Sequence, residues 1–111
     1  AVAWESVMDN AIRFDHARLI KNGADAWSIN QESVDLNYFL AYEYGLLKKM
    51  AGIINEAFEE KDRHEKINES FFVQEPGFFF DKRLDGTVVM EEGTVACIPL
   101  WTQLATPEQA A

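Results

Sequence analysis

Apolar side chains recur at helical spacing in the middle of the chain. Between residues 34 and 50, Val, Leu, Phe and Met fall on one side of a helix, and three tyrosines widen that side. Ser28 and Gln31 have the spacing of a capping box, so we predict a helix over residues 28–50. The width of the apolar side predicts that this helix is buried on more than one side.

A second, more polar helix is predicted directly after the first. Gly52 marks the break between them, and Asn55 is the predicted N-cap of a helix over residues 55–72. Residues 59–66 carry opposite charges at turn spacing, which is typical of a solvated helix face. The two helices would pair as an antiparallel hairpin. A thinner apolar stripe that ends at Gly23 predicts another helix over residues 9–22.

The pattern changes after Pro76-Gly77. Apolar runs on either side of Asp85-Gly86 predict a short β-hairpin, and residues 94–101 predict an apolar loop or strand. Thr106 and Pro107 have the order of a helix start, with Thr as N-cap and Pro as the first helical residue. A helix that starts so close to residue 111 favours the interpretation that the sequence is part of a longer chain.

Composition narrows the classes of function. Ten basic and nineteen acidic side chains give a formal net charge of −9, which argues against a nucleic-acid or anionic-membrane surface. No apolar run approaches the roughly 20 residues of a membrane span. Cys97 is the sole cysteine, so a disulfide framework is excluded, and its apolar surroundings predict a packed thiol. His16 and His64 lack metal-ligand spacing, and we expect no metal and no cofactor.

Two acidic clusters are candidates for chemistry. The first joins Trp4, Glu5 and Asp9, and an aromatic ring beside two carboxylates suits a sugar site. The alternative for Asp9 is a helix N-cap. The second joins Glu32 and Asp35 at the start of the long helix. Compensation of the helix dipole explains Glu32 well but Asp35 less well, because Asp35 would lie among aromatic residues. Trp101, after Pro99-Leu100, is either a core residue or a ring at a cleft.

Five short segments, in order along the chain, resemble landmarks of glycoside hydrolase family 63. The first resembles the family's acid-bearing motif, and the more distant family 37 trehalases have a related segment. The second resembles the family's next helix start. The segments are Trp4-Glu5-Ser6-Val7-Met8-Asp9-Asn10 with Arg13-Phe14-Asp15, Gln31-Glu32-Ser33-Val34-Asp35-Leu36-Asn37-Tyr38, Ile67-Asn68, Gly77-Phe78-Phe79-Phe80-Asp81 and Pro99-Leu100-Trp101. Together they span nearly the whole chain.

The resemblance implies a mainly α fold, part of an (α/α)6 toroid of helical hairpins with a short β-hairpin after the second long helix. Residues 1–111 would be a single segment of that catalytic domain, truncated at both ends, because six hairpins need a chain several times longer. Members of the family are inverting glycosidases acting on α-glucosides and related oligosaccharides. The implied partners are a carbohydrate substrate and the remainder of the barrel.

The resemblance also implies roles for individual residues. Asp9 matches the general acid of the family. The residues implied or considered as substrate contacts are Trp4, Glu5, Asn10, Asp35, Asn37 and Trp101. Val7 departs from the family's Gly, which changes the backbone options beside Asp9. The second helix is also shorter than in the family, by about two turns.

The general base of the family is a Glu in a segment with no counterpart among these 111 residues. Glu75, Glu91 and Glu92 do not lie in its motif, so we expect the isolated chain to be inactive. We also expect it to expose apolar surface around residues 38–42. Two other interpretations stay open beside the enzyme. One is a non-catalytic helical module that binds carbohydrate or a partner chain, and the other is a small independent α+β domain whose motifs match by coincidence.

Overall fold

The structure, a computed structural model, describes residues 11–111. Helical residues make up 44% and strand residues 17%. The helices are α1 (Val34–Ile54), α2 (His64–Phe71), α3 (Ile98–Trp101) and α4 (Pro107–Ala110), with 3₁₀ turns at Ile12–Phe14 and Thr94–Cys97. The strands are β1 (Leu19–Lys21), β2 (Trp27–Ile29), β3 (Gln31–Glu32), β4 (Phe72–Val73), β5 (Phe78–Phe79), β6 (Asp81–Arg83) and β7 (Val88–Val89).

This content overturns the predicted fold class. The strands form three small antiparallel sheets, β1–β2, β3–β6–β7 and β4–β5, between and beside the helices. Helices and strands therefore share the described part of the chain, and the prediction of a mainly α toroid segment is wrong. Of the three interpretations open from the sequence, the α+β domain has the secondary structure that is observed.

Helix α1 is displaced toward the C-terminus relative to its prediction. Ser28 pairs with Ile20, and Gln31 pairs with Arg83, so the predicted capping residues lie in strands. The helix continues through Gly52 and ends where Asn55 adopts a left-handed conformation, with φ of 57°. Asn55 therefore ends the first helix instead of starting the second, and the predicted break at Gly52 is wrong.

The second helix is shorter than predicted, because residues 56–63 are irregular. The Tyr44 hydroxyl holds this stretch against α1 by donating to the Glu60 carbonyl at 2.7 Å, and the Tyr44 ring packs on Phe58 at 5.1 Å between centroids. Helices α1 and α2 do contact each other. Of the predicted helix over residues 9–22, the described part holds one 3₁₀ turn at Ile12–Phe14, and the prediction is wrong beyond it because residues 19–21 form β1.

Predictions that depended on local turn chemistry are confirmed. Strands β6 and β7 form the predicted hairpin, in which Gly86 takes a φ of 89° and Asp85 Oδ1 accepts from the Thr87 N–H at 2.8 Å. Helix α4 begins with a capping box between Thr106 and Gln109. Residues 94–101 are helical, so their prediction as a loop or strand is wrong.

The core lies under the N-terminal half of α1 and is small. Its buried apolar members are Val34, Tyr38, Phe71, Phe79 and Ala96. The Tyr38 hydroxyl donates to Asn68 Oδ1, and Asn68 Nδ2 donates to the Leu104 carbonyl at 2.6 Å. Burial raises the pKa of the Tyr38 hydroxyl above its ordinary value. The core polar groups thus tie α1, α2 and the chain after α3 together.

The opposite side of α1 is an exposed apolar face. Its members are Leu36, Phe39, Leu40, Tyr42, Leu46, Leu47, Met50, Ile53 and Ile54, each more than a third exposed. The prediction that α1 is buried on more than one side is therefore wrong for the described residues. Exposed apolar surface at Phe39 and Tyr42 was expected and is observed, but Tyr38 is buried. Within residues 11–111, no helix is long and apolar enough to cross a membrane.

Candidate functional site

Arg13 is the centre of a buried polar cluster. Its side chain is 6% exposed and lies on the 3₁₀ turn Ile12–Phe14. Nη1 and Nη2 donate to the two oxygens of Asp35 at 3.0 and 2.9 Å, a bidentate pair. Nη1 also lies 3.1 Å from both oxygens of Asp81. One guanidinium thus joins two carboxylates, and we call Arg13, Gln31, Asp35 and Asp81 the arginine network.

Asp81 connects this network to the start of α1. Its Oδ1 accepts from the backbone N–H of Val34 at 2.8 Å, and its Oδ2 accepts from Gln31 Nε2 at 2.8 Å. The Ser33 side chain makes no capping hydrogen bond to the described residues of α1. Asp81 instead accepts a hydrogen bond from the first turn of the helix. Two carboxylates and one guanidinium carry a formal excess of one negative charge. The positive end of the helix dipole lies beside that charge and stabilises it.

Gln31 holds the backbone of Arg13 as well as the side chain of Asp81. Its Nε2 donates to the Arg13 carbonyl at 3.0 Å and to Asp81 Oδ2. Both partners only accept hydrogen bonds, which fixes the amide nitrogen on this side. Gln31 is 5% exposed, so these bonds are shielded from water. The network therefore binds Arg13 through both its guanidinium and its main-chain carbonyl.

Asp35 is held as an anion by this arrangement. Burial alone would raise its pKa, but the hydrogen bonds and positive charge of Arg13 keep the pKa of Asp35 below its ordinary value. Both of its oxygens face Arg13 in the pair described above. Arg13, the Ser33 side chain and the Leu36 backbone all form hydrogen bonds with Asp35. The role of Asp35 as a substrate contact stays a prediction.

Asn37 lies away from Asp35 although the two are close in sequence. Two residues along an α-helix differ by about 200° around its axis, so their side chains leave on nearly opposite sides. Asn37 Nδ2 donates to the Ser33 carbonyl at 2.8 Å, and the residue lines a cavity of about 180 Å³ together with Tyr44 and Arg63. The structure therefore does not bring these two predicted site residues into one site.

Trp101 is an exposed ring supported by other aromatic rings. It lies at the end of α3 and is 64% exposed. Its ring is 5.8 Å from Phe39, edge to face, and 5.5 Å from Tyr42, measured between centroids. Residues 35, 39 and 42 share one side of α1, so this aromatic patch of Phe39, Tyr42 and Trp101 lies on the side that Asp35 begins. A supported, water-facing ring can stack on the apolar face of a sugar.

The first acidic cluster cannot be compared with the structure, whereas Cys97 can. Trp4, Glu5, Asp9 and Asn10 lie outside the described residues. Cys97 is exposed, so the prediction of a packed thiol is wrong. In residues 11–111, no group of three or more His, Cys, Asp or Glu side chains is arranged to hold a metal ion.

Sequence reasoning missed three members of the arginine network. Arg13, Gln31 and Asp81 lie within the matching segments, but the sequence predicts no functional role for them. A usable signal was present for Asp81, since a carboxylate directly after Phe78-Phe79-Phe80 is poorly placed to reach water. Such a charge demands a buried partner, and Arg13 supplies it from 68 residues away.

No protein-family model matches this chain, and no curated protein matches it. The likeness to family 63 therefore stays a resemblance between short motifs. The case for a function depends on the residues themselves and on what they contact.

Proposed function

We propose that this chain provides the acid-bearing segment of an inverting α-glycosidase that hydrolyses α-glucosides or related oligosaccharides. Asp9 protonates the leaving oxygen, and Trp4, Glu5 and Asn10 contact the sugar. Water attacks the anomeric carbon from the opposite face, the glycosidic bond breaks, and a general base takes the proton from the water. That base comes from a further segment of the same protein, which completes the cleft around the substrate.

The observation that carries this proposal is the arginine network. Three of the segments that resemble family 63 supply its members: Arg13 from the first, Gln31 and Asp35 from the second, and Asp81 from the fourth. These segments are up to 68 residues apart in sequence, yet their polar side chains bind one another in the interior. Their meeting in one buried network supports a shared structural role for these three segments.

The other two segments converge on the same helix. Asn68, from the third, accepts the hydrogen bond of the buried Tyr38 hydroxyl on α1. Trp101, from the fifth, packs on Phe39 and Tyr42 of α1. Each matching segment within the described residues therefore contributes a side chain that contacts α1 or the arginine network at its start, which supports a shared role for the motifs.

The test is the variant Asp9→Asn in the complete protein. Asn keeps the shape but has no proton to transfer, so hydrolysis of a natural α-glucosyl disaccharide should fall by about 10²–10⁴-fold. Hydrolysis of α-glucosyl fluoride should fall much less, because fluoride leaves without protonation. A melting curve should change little, since Asn has nearly the same size as Asp and keeps an oxygen that accepts hydrogen bonds. Asp25→Asn, at an exposed carboxylate, is the control and should alter neither rate.

Two results would contradict the proposal. Equal losses on both substrates, or losses that follow a lowered melting temperature, would remove Asp9 from the role of general acid. A wild-type protein that hydrolyses neither substrate would remove the glycosidase function altogether.

The aromatic patch favours a second candidate, a non-catalytic carbohydrate-binding module. Trp101 is 64% exposed although two rings support it, and an enzyme is not needed to explain such a surface. This candidate predicts that maltose quenches or shifts tryptophan fluorescence without being hydrolysed. Trp101→Ala should abolish the change, whereas Trp27→Ala, at a ring of similar exposure on β2, should preserve it. Turnover of the sugar by the complete protein would decide for the enzyme.

A further inference from the structure

Polar side chains from three stretches of the chain line one cleft of about 450 Å³. They are His16, Arg18, Asn30, Arg83 and Asp85. We propose that this cleft binds a small phosphorylated sugar, with the phosphate against the two arginines and the sugar hydroxyls against the carboxylate and the amide. This binding goes beyond the proposed function, because it involves neither the general acid nor the aromatic patch.

Hydrogen bonds at Asn30 hold the three stretches of the cleft together. The Asn30 N–H donates to the Arg18 carbonyl at 2.9 Å, and the Arg18 N–H donates to Asn30 Oδ1 at 2.8 Å. The Asn30 carbonyl accepts from the Leu84 N–H at 3.0 Å. Asn30 therefore connects the backbone of Arg18 to the backbone between Arg83 and Asp85, so both arginines extend from one connected frame.

The two arginines supply the groups that would bind phosphate. Within residues 11–111, the guanidinium groups of Arg18 and Arg83 have no hydrogen bond and no ion pair, whereas that of Arg13 is buried among carboxylates. A guanidinium presents several N–H donors in one plane, and these match the oxygens of a phosphate. Two of the four arginines of the chain line this cleft although the net charge is −9, so the cleft attracts an anion that the acidic surface elsewhere repels.

Asp85 and Asn30 suit the other part of the ligand. Asp85 Oδ1 accepts from the Thr87 N–H at 2.8 Å, and the hydrogen bonds of Thr87, together with the charge of Arg83, lower the pKa of Asp85. Asp85 is thus an anion that repels phosphate but accepts hydrogen bonds from hydroxyls. Asn30 Oδ1 is occupied by the Arg18 N–H, so the Asn30 amide nitrogen is the group that can donate to a hydroxyl oxygen.

The size and lining of the cleft favour a sugar as the body of the ligand. A volume of about 450 Å³ lies in the usual range of small-molecule sites and exceeds what a phosphate group alone fills. All five lining side chains are polar or charged, so an acyl chain would have no apolar surface to pack against. A hexose phosphate offers both an anion for the arginines and hydroxyls for Asp85 and Asn30.

Calorimetric titration of the complete protein with glucose 6-phosphate tests the proposal. We expect glucose 6-phosphate to bind more tightly than inorganic phosphate, and glucose to show no binding at millimolar concentration. Arg18→Gln and Arg83→Gln should each weaken the binding of glucose 6-phosphate by about tenfold or more, because each removes charge-assisted hydrogen bonds. Asp85→Asn should narrow the difference in affinity between glucose 6-phosphate and inorganic phosphate, because it removes the charge that repels phosphate. Glucose 6-phosphate has no glycosidic bond, so this test is independent of any hydrolysis of α-glucosides.

Arg63→Gln is the matched control, because it removes the same charge from an exposed arginine that lines a different cavity. It should bind glucose 6-phosphate as wild type does, and an equal weakening in all three arginine variants would overturn the site in favour of diffuse charge. Folded wild-type protein that does not bind glucose 6-phosphate at millimolar concentration would overturn it as well.

Two further comparisons test the class of ligand. Equal affinity for glucose and glucose 6-phosphate would contradict recognition of the phosphate, and tighter binding of adenosine monophosphate would contradict recognition of the sugar. Melting curves show whether each variant is folded. If one of the two cleft arginine variants fails to fold, the other decides.

Discussion

Arg13 and Asp35 form a bidentate ion pair across 22 residues of sequence, with Nη1–Oδ1 at 3.0 Å and Nη2–Oδ2 at 2.9 Å. The Arg13 side chain is 6% exposed and the Asp35 side chain 18%, so water screens the pair only weakly. Removing Arg13 would leave the carboxylates of Asp35 and Asp81 without their cation, which should lower the free energy of unfolding.

The ion pair predicts a specific loss of stability in acid. The pKa of Asp35 is lower in the folded chain than its ordinary value of 3.8, so the unfolded state binds a proton first. The stabilisation is complete above that value and is lost as the pH falls through the lower pKa of the folded state. The measurement is the free energy of unfolding of the isolated chain between pH 7 and pH 2.

Asp35→Asn should lower the free energy of unfolding at pH 7. It should also make that free energy depend less on pH below about pH 4. Glu32→Gln is the matched control, because Glu32 is an exposed carboxylate three residues earlier, and its profile should follow wild type. If the free energy of unfolding of Asp35→Asn fell below pH 4 as steeply as that of wild type, the prediction would be contradicted.

Tyr38→Phe should destabilise the core through its hydroxyl alone. The ring would still fill its place, but Asn68 Oδ1 would lose its buried donor, at a cost of about 1–3 kcal/mol. Tyr44→Phe is the comparison, since the Tyr44 hydroxyl donates to an exposed carbonyl and its loss should cost less. Chemical denaturation of the two variants measures the difference, and equal values would contradict the assigned roles.

Two glycines should respond to alanine in opposite directions. Gly86 has a φ of 89° in the β6–β7 turn with open space around it, so Gly86→Ala meets only backbone strain and should cost about 1–2 kcal/mol. Gly45 lies inside α1 with open space for a Cβ, so Gly45→Ala should stabilise by about 0.5–1 kcal/mol. Thermal unfolding distinguishes the two shifts by sign.

The exposed apolar face of α1 should bind an environment-sensitive apolar dye in the isolated chain. Leu47→Lys with Met50→Lys should reduce the fluorescence of the bound dye, while the melting temperature should change little because both side chains face water. Leu19→Lys is the control, as Leu19 is similarly exposed but lies on β1, away from this face. Dye binding that is equal in all three proteins would contradict the prediction.

The sequence predicted those elements whose signals are local. The Asp85-Gly86 turn and the Thr106 cap depend on neighbours in sequence, and both are observed. Ser28 and Gln31 have cap chemistry as well, but their strand pairing with residues 20 and 83 decides their structure. Asn is common at both the N-cap and the C-terminal end of helices. Only the left-handed backbone of Asn55 shows that it ends α1. Local chemistry alone cannot resolve such cases.

In the candidate site, too, the sequence predicted what depends on a single residue and missed what depends on distant partners. Asp35 and Trp101 could be selected from the sequence because a carboxylate and an indole have recognisable chemistry. Their partners could not, since Arg13 reaches Asp81 across 68 residues and Trp101 rests on rings of a different helix. The toroid was inferred from motif order, which carries no information about the strands between the motifs.

The bond between Asp81 and the Val34 N–H has a consequence for how the chain folds. The first turn of α1 receives its cap from a side chain 47 residues later instead of from an adjacent one. The Val34 N–H is satisfied only once β6 arrives, so closing the long loop to β6 and completing the first turn become a single event. Helix and sheet should then melt at one temperature, and a peptide of residues 33–54 alone should fray at its N-terminal end.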